Sequence, residues 1–240
     1  MHSFTYKGHN SRDYCKLFVS GGGTFSSPER DIESIPIPGR NGELTIDNGR
    51  YKNVEVEYSG WIAENFEANI VKARQLLCYG NGGYYRLEDD YHPDEFRMAR
   101  FVGPLEVQGI ASSGDYLAAA LSIKFDCMPQ RFLKSGEEVI TLTNASGTNV
   151  RNPTSLPALP KLIVYGSGEG TITHNMSTEL TISDIDGFVE LDSEIQRAYK
   201  LNVPKDDTVS GFLVFDRGIN YIQFSGGITK IEITPRWWRL

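Results

Sequence analysis

The sequence predicts a mainly β protein: an N-terminal β-sandwich that carries one α-helix, followed by a second β-sandwich. Three observations lead to this prediction. Two segments in the N-terminal part alternate between apolar and polar residues, and one segment between them repeats apolar residues at spacings of three and four. Short apolar runs separated by turn residues occupy the last third of the chain. Frequent glycine and aromatic residues favour the same class, because glycines suit turns and aromatics suit half-buried strands.

The two alternating segments predict strands with one solvent-exposed face. The first covers Tyr51–Tyr58, where Val54, Val56 and Tyr58 alternate with polar neighbours. The second covers Leu117–Cys127 and alternates in the same way over a greater length. Successive side chains on a strand point to opposite faces, so each segment has one apolar and one polar face. The longer strand is predicted to cross a whole sheet.

One helix is predicted between these two strands. Its apolar stripe consists of Ile62, Phe66, Ile70, Ala73 and Leu77. Glu64 and Glu67 lie early in this segment, while Lys72 and Arg74 lie late, which matches the polarity of the helix dipole. The glycine-rich run Gly80–Gly83 is predicted to end the helix.

A change of composition after Phe132 predicts a second domain. Residues Ser135–Asn152 are rich in Ser, Thr, Asn and Gly, and several prolines follow them. Proline interrupts strands and helices alike, so this stretch is predicted to be a junction between domains 1–134 and 135–240. The strands predicted beyond it are Leu162–Tyr165, Thr171–Thr173, Leu180–Ile185, Phe188–Leu191, Gly211–Phe215, Asn220–Phe224 and Ile228–Thr234.

Charge and cysteine usage argue against several classes of protein. The net charge is −7 and no Lys/Arg cluster is visible, so tight nucleic-acid binding is not expected. An acidic surface instead repels phosphate backbones. Cys15, Cys78 and Cys127 are odd in number and widely spaced, which argues against a disulfide framework or a cysteine metal site and favours reduced thiols.

Targeting signals are not visible in the sequence. Met1–Lys7 is polar and is not followed by a long apolar run, so no signal peptide is predicted. No stretch approaches the ~18 apolar residues of a membrane helix. The chain is therefore expected to be soluble, to avoid the standard secretion signal, and to have no membrane partner.

Two clusters are candidates for chemistry. Gly21–Gly23 follows a strand-like run but lacks the Gly-Lys-Ser/Thr ending of a phosphate-binding loop, so a plain loop is favoured. Glu88–Asp90, with His92 and Asp94, is the densest acidic cluster and could hold a metal ion or a glycosidase carboxylate pair. Its spacing does not match a calcium loop, and adjacent acids on a strand point to opposite faces. A solvated turn before a strand at Arg97–Phe101 is therefore favoured.

The remaining candidates are scattered. The histidines His2, His9, His92 and His174 include no pair at helical spacing, so a helical zinc motif is not predicted. No nucleophile motif is visible. The predicted set of catalytic, cofactor-binding and metal-binding residues is therefore empty, and no cofactor is expected.

The adjacent tryptophans Trp237 and Trp238 allow two interpretations. Two neighbours on a strand face opposite ways, so one is predicted to be buried and the other to lie at an interface. Stacking on a sugar or a base is the alternative.

Four short motifs occur along the chain in one order. They are Phe4–Gly8 with Arg12–Tyr14, Ile35–Gly42, Tyr85–Asp89 with Pro93–Ala99, and Phe212–Phe215 with Gly218–Asn220. Together they resemble the motifs of the distal tail proteins of siphophages, the phage tail component family. The second resembles the family's Ile-Pro-Gly-Arg-(Asp/Asn)-Gly loop. The sequence departs from the family pattern at Asn41, where Asp is commoner, and at Asp216-Arg217, where a proline-rich turn is common.

The resemblance implies a structural role in the virion. Members form a hexameric ring at the tail tip or baseplate. Their N-terminal domain is tail-tube-like, with a β-sandwich, one helix and a protruding hairpin, and it surrounds the DNA channel. Their C-terminal domain is a galectin-like sandwich outside the ring. The implied partners are other copies of the chain, the major tail tube protein, a tail-associated lysin or tail fibre, and receptor-binding proteins, while DNA passes without specific binding.

Two other functions stay open on the sequence alone. A carbohydrate-binding module that attaches a phage or a cell-wall enzyme to a host surface is the first, and the two tryptophans favour it. An enzyme is the second, supported only by the acidic cluster. Within the resemblance, Pro36–Glu43 is predicted to be an ordered loop of the ring-forming domain. Arg40 is its exposed charge and is predicted to contact a neighbouring subunit.

Overall fold

In the computed structural model the chain forms two compact units, Met1–Arg131 with Leu240, and Phe132–Arg239. The structure describes residues 1–21, 23, 25–62, 65–80, 82–113 and 116–240, with only the backbone for 108–113 and 116–117. Strands dominate both units, which confirms the predicted mainly β fold class. Assigning the units as a ring-forming domain and a C-terminal sandwich, divided at 134/135, stays a prediction. Among the described residues, no helix has the length and apolarity to cross a membrane.

The first unit is an antiparallel sheet with one long helix against it. Its strands are β1 (Phe4–Tyr6), β2 (His9–Asn10), β3 (Leu17–Ser20), β4 (Arg30–Pro36), β5 (Glu43–Tyr51), β6 (Val54–Ile62), β7 (Tyr85–Asp89), β8 (Glu95–Phe101), β9 (Glu106–Ser113) and β10 (Tyr116–Cys127). Its helices are α1 (Ser11–Cys15) and α2 (Phe66–Cys78). The sheet order is β2-β1-β7-β8-β10-β6-β3, and β9 pairs with β10. Strands β4 and β5 form a separate two-stranded sheet.

The two alternating strands lie next to each other in the core. Val54, Val56 and Tyr58 of β6 are buried, and β10 buries a matching row that includes Phe125. Both predictions are confirmed for these residues. The first strand differs at its start, because Tyr51 ends β5 and β6 begins only at Val54.

Helix α2 packs its apolar stripe against the sheet but is shorter than predicted. Ile62 is the last residue of β6 and does not belong to the helix. Lys72 and Arg74 lie before the last turn, which contains no basic residue of its own, so the predicted dipole match at this end is wrong. Lys7, from the turn after β1, supplies the cation instead: its Nζ donates to the carbonyls of Leu76 and Tyr79. Glu64 lies outside the described residues.

Helix α1 was not predicted. It has five residues, too few for an apolar repeat to show. Its start is set by Asn10, whose side-chain oxygen accepts hydrogen bonds from the backbone N–H groups of Arg12 and Asp13.

The second unit is built mainly from one antiparallel sheet of long strands. Its strands are β11 (Arg131–Leu133), which begins at the unit boundary, β12 (Ile140–Leu142), β13 (Thr148–Asn152), β14 (Lys161–His174), β15 (Thr178–Asp192), β16 (Arg197–Lys200), β17 (Val203–Pro204), β18 (Gly218–Thr234) and β19 (Trp238–Arg239). Short 3-10 helices span Lys134–Gly136 and Asp206–Thr208. The sheet order is β12-β18-β14-β15-β16-β17; β13 also pairs with β18, and β11 pairs with β19.

Three long strands replace six of the predicted short ones. Strands β14, β15 and β18 each run through a glycine-containing stretch where the sequence predicted a turn. The predicted strand Gly211–Phe215 is absent from the described structure apart from a bridge between Phe215 and Ala158. The predicted junction Ser135–Asn152 contains strands β12 and β13, both paired with β18, so much of this polar stretch belongs to the sheet of the second unit.

Glycines let the long strands bend where they cross. The register between β14 and β18 shifts between Gly166 and Gly170. A Cβ on Gly227 would lie 1.7 Å from the carbonyl oxygen of Ser167, and one on Gly166 would lie 2.1 Å from that of Gly227. The two backbones therefore approach more closely than any side chain allows. The two halves of each long strand therefore bury side chains in the same core cluster. This arrangement is expected of a sheet that folds back onto itself.

Replacing Gly227 with alanine tests this bend. We expect Gly227→Ala to lower the free energy of unfolding by at least about 2 kcal/mol, because the added methyl group overlaps a backbone oxygen. Gly211→Ala is the matched control, since nothing lies within 4 Å of a Cβ there, and it should change stability by no more than about 0.5 kcal/mol. Thermal unfolding followed by circular dichroism measures both. Equal midpoints for the two variants would contradict the close approach.

Candidate functional site

The β4–β5 hairpin exposes apolar side chains on a two-stranded sheet. In the described structure the two strands pair only with each other. Ile35 lies opposite Leu44 and Glu33 lies opposite Ile46, so the three apolar residues share one face. Their exposed fractions are 39%, 50% and 41%. We call Ile35, Leu44 and Ile46 the hairpin face.

The predicted loop Pro36–Glu43 forms the tip of this hairpin. Strand β4 ends at Pro36 and β5 begins at Glu43, so the prediction of a loop between strands is confirmed. Positive φ angles at Gly39 and Gly42 let the chain reverse, and the Arg40 N–H donates to the carbonyl of Ile37. The Arg40 side chain is exposed and makes no ion pair with any described residue. It is therefore available to a partner.

Ion pairs hold the base of the hairpin together. The Arg30 guanidinium donates from Nε and Nη2 to the Asp47 carboxylate, at 3.0 and 2.8 Å, and lies over the Tyr51 ring. Arg50 Nε donates to Asp31 at 2.7 Å. Hydrogen bonds from these arginines lower the pKa of Asp47 and of Asp31. Exposed ion pairs of this kind contribute little to the free energy of folding. Their main effect is to fix the register between the two strands of the hairpin.

The hairpin face is thus a partly exposed apolar surface that belongs to neither core cluster of the described residues. An isolated two-stranded hairpin is marginally stable in water. Exposed, neighbouring apolar residues on such a hairpin are typical of a protein–protein contact. Sequence reasoning missed this face, because Ile35 lies within the loop motif and the alternation of Leu44 and Ile46 covers only two periods. The apolar residues on both sides of the turn were the available signal.

The acidic cluster is a structural network, and its turn is less solvated than predicted. The Asp89 carboxylate, only 9% exposed, accepts hydrogen bonds from the Tyr58 hydroxyl at 2.6 Å and from the His92 backbone N–H at 2.8 Å. His92 Nδ1 lies 3.0 Å from the same carboxylate. Asp90 accepts from the backbone N–H and the hydroxyl of Ser3. Burial, followed by the Asp89 charge, raises the pKa of Tyr58 well above its usual value.

A second set of charges lies beside this network. Arg131 Nε is 3.0 Å from a carboxylate oxygen of the buried Glu95, and the nearby Arg97 is also buried. Burial lowers the pKa of Arg97, and the charge of Arg131 lowers it further. These groups line a cavity of about 10 Å³, which has room for about one water molecule. That volume is too small for a substrate.

The other predicted candidates do not converge. The His2 ring lies 4.3 Å from that of Tyr91, the His9 ring packs near Tyr14, and the buried His174 Nε2 lies 2.8 Å from Asn220 Oδ1. Among the described residues, no three His, Cys, Asp or Glu side chains are grouped to hold a metal ion. The Gly21–Gly23 loop falls partly outside the described residues.

Both tryptophans contact the second unit's own core. Trp237 is only 3% exposed and its ring centroid lies 5.7 Å from that of Phe215. Trp238 is half-buried, and its indole N–H donates to the Pro157 carbonyl at 2.9 Å. Burial of Trp237 prevents that ring from stacking on a sugar.

The motif Gly218–Asn220 specifies a turn. Asn220 is fully buried; its Nδ2 donates to the Asp216 carbonyl at 2.9 Å, and its Oδ1 accepts from the Asp216 N–H at 2.8 Å. Phe4 and Tyr6 of the first motif are likewise core residues. These motif residues therefore support the fold and form no ligand site.

The chain matches no family model and no curated protein. Among solved structures it is similar to the SPP1 Dit (gp 19.1) protein, with a TM-score of 0.72 and 14% sequence identity over 100% of both chains. That protein is described as a paradigm of the hub adsorption apparatus in phages that infect Gram-positive bacteria. At this identity the likeness shows the fold. The chain thus shares the fold of the SPP1 Dit protein.

The three cysteines differ in exposure, which predicts their reactivity. Burial raises the pKa of Cys15 to about 11 and that of Cys127 to about 12, whereas Cys78 is exposed. At about pH 8 we expect one rapid equivalent with Ellman's reagent, from Cys78, and two equivalents at least ~100-fold slower until the chain unfolds. Cys78→Ser should remove the rapid equivalent. Three rapid equivalents in the folded protein would contradict this burial.

Proposed function

We propose that the chain is a structural, non-enzymatic component of a phage tail tip or baseplate. Copies of it, six by the family resemblance, form a ring that joins the major tail tube protein to a tail-associated lysin or fibre and to receptor-binding proteins. DNA passes through this ring. The whole-length likeness to the SPP1 Dit protein is the observation that carries the proposal. The proposed place of action is the virion.

The hairpin face supports assembly as the role of the first unit. It offers three partly exposed apolar side chains that are absent from the described core of this unit. In a ring, a different surface of the neighbouring copy would cover these three side chains. Contacts of that kind close into a ring when the rotation per copy permits it. Arg40 at the hairpin tip then meets an acidic neighbour, since the net charge of each chain is −7.

The acidic balance supports the passage of DNA. The chain has 31 acidic and 24 basic residues. A ring of such chains carries a strongly negative field that repels phosphates at close range. DNA can then slide without the many lysine and arginine contacts that would hold it.

A charge on the hairpin face tests the assembly role. We expect Ile46→Glu to reduce ring formation strongly, because it would bury an unpaired carboxylate between copies. Ile195→Glu is the matched control: Ile195 is an exposed isoleucine of the second unit and lies off the hairpin face. Light scattering and electron microscopy of the full chain, with and without the tube protein, give the mass and shape. A wild-type chain that stays monomeric at every concentration and salt would overturn the proposed function.

The tip charge is tested separately. We expect Arg40→Glu to weaken assembly while the monomer remains folded, because the exposed Arg40 side chain has no described internal ion pair to lose. Arg12→Glu, at another exposed position of the first unit, is the control. Sedimentation velocity compares the assembled fractions. An intact ring in the Arg40 variant would refute the contact assigned to this residue.

A further inference from the structure

An open pocket lies where the turn after β1 meets the end of α2. It belongs entirely to the first unit and has a volume of about 270 Å³. The half-buried rings of Tyr85 and Phe101 line it, the exposed side chains of Tyr79 and Val102 border it, and the neighbouring Tyr6 is only 1% exposed. The pocket therefore has an aromatic lining that a single apolar side chain can fill.

Lys7 places a positive charge against this aromatic lining. Its Nζ lies 4.8 Å from the ring centroid of Tyr85 and 5.0 Å from that of Tyr6. The ammonium donates to the carbonyls of Tyr79 and Leu76, at 2.6 and 3.2 Å. An ammonium has three donors, so these two bonds leave one for a ligand. Lys7 makes no ion pair with any residue the structure describes.

The pocket is cationic although the protein is acidic. None of the described residues that line it is Asp or Glu. Arg100 is its second cation, and the Nε of this residue donates to Asp126 at 2.8 Å. That carboxylate lies outside the lining and offsets part of the Arg100 charge, so Lys7 is the main site for an anion. Burial lowers the pKa of Lys7, and an anion beside it would relieve this penalty.

We propose that this pocket binds the C-terminal residue of a partner polypeptide, with its carboxylate at Lys7 and its apolar side chain against Tyr85 and Phe101. Because the ammonium lies within about 5 Å of the ring centroids, the carboxylate and the apolar group of the ligand must be close together. A chain terminus carries both on one Cα atom. Within an extended segment an acidic side chain and its apolar neighbour point to opposite faces, so only one of them would enter. Capture of a terminal carboxylate is an established mode of peptide recognition.

Matched peptides test the ligand chemistry on the full chain. The probe is acetyl-Gly-Ser-Gly-Phe with a free carboxylate, titrated by isothermal calorimetry. We expect a dissociation constant below about 1 mM. The same peptide with a C-terminal amide should bind about tenfold more weakly or worse, because it loses a charge-assisted hydrogen bond. A peptide that ends in glycine with a free carboxylate should also bind weakly, since it leaves the aromatic lining empty.

Two valine variants locate the binding. Val102 borders the pocket and is 49% exposed, whereas Val71 on α2 is 50% exposed and is absent from the lining. We expect Val102→Asp to weaken binding of the free-carboxylate peptide about tenfold through repulsion, and Val71→Asp to leave it within about twofold. Lys7→Gln should abolish binding, but it also removes a contact with the end of α2. The two valine variants leave that contact intact, so comparing them tests binding at the pocket alone.

Three outcomes would overturn the proposal. They are equal affinity for the acid and the amide, no detectable binding of the acid at about 5 mM, and equal effects of the two valine variants. Selective binding of the acid that Val102→Asp alone weakens supports it. The assay needs no ring, so its result and that of the assembly experiments can be distinguished.

Discussion

Pairing along the long strand β10 is the interaction on which the first unit depends. This strand pairs with β6 on one side and with β8 and β9 on the other. Its Phe125 ring is surrounded by the rings of Phe4, Tyr6, Tyr58 and Phe101, at centroid distances of 5.0–6.1 Å. Each such ring pair adds about 0.5–1.5 kcal/mol beyond simple burial. A centre of this stability allows the β4–β5 hairpin to extend without contributing to the core, and the exposed apolar hairpin face is the consequence.

The second unit reaches a closed core by a different route. Long strands cross and bend at glycines whose neighbours leave no space for a Cβ, so one sheet supplies both layers. Polar side chains then complete the ends of this sheet. Asn220 satisfies the turn at Asp216, and Asn152 donates to the carbonyls of Leu156 and Asp216. Buried amides of this kind specify a particular turn, because an unpaired alternative would cost free energy.

Local periodicity predicted the elements that pack one continuous face against the core. These elements are the strands β6 and β10 and the centre of α2. Their buried residues recur at the regular spacing of a strand or a helix, so the sequence shows the pattern directly. The long strands of the second unit were divided at glycines, because a glycine looks the same in a turn and in a bent strand. The candidate sites were harder still. Lys7 joins the end of α2, about seventy residues away in sequence, and no local pattern shows that contact.

The separation between the core and the exposed surface explains how this fold is shared with the SPP1 Dit protein at 14% identity. A buried position requires only an apolar residue of suitable volume, and a bend requires only a glycine. Many sequences can therefore form the same frame of core residues and bends. Motif residues such as Asn220 and Phe4 belong to that frame. The hairpin face, Arg40 and the pocket beside Lys7 lie at the surface, where substitutions cost the fold little. Surfaces of this kind can change while the frame stays the same, so we propose that any specificity for partners resides in them.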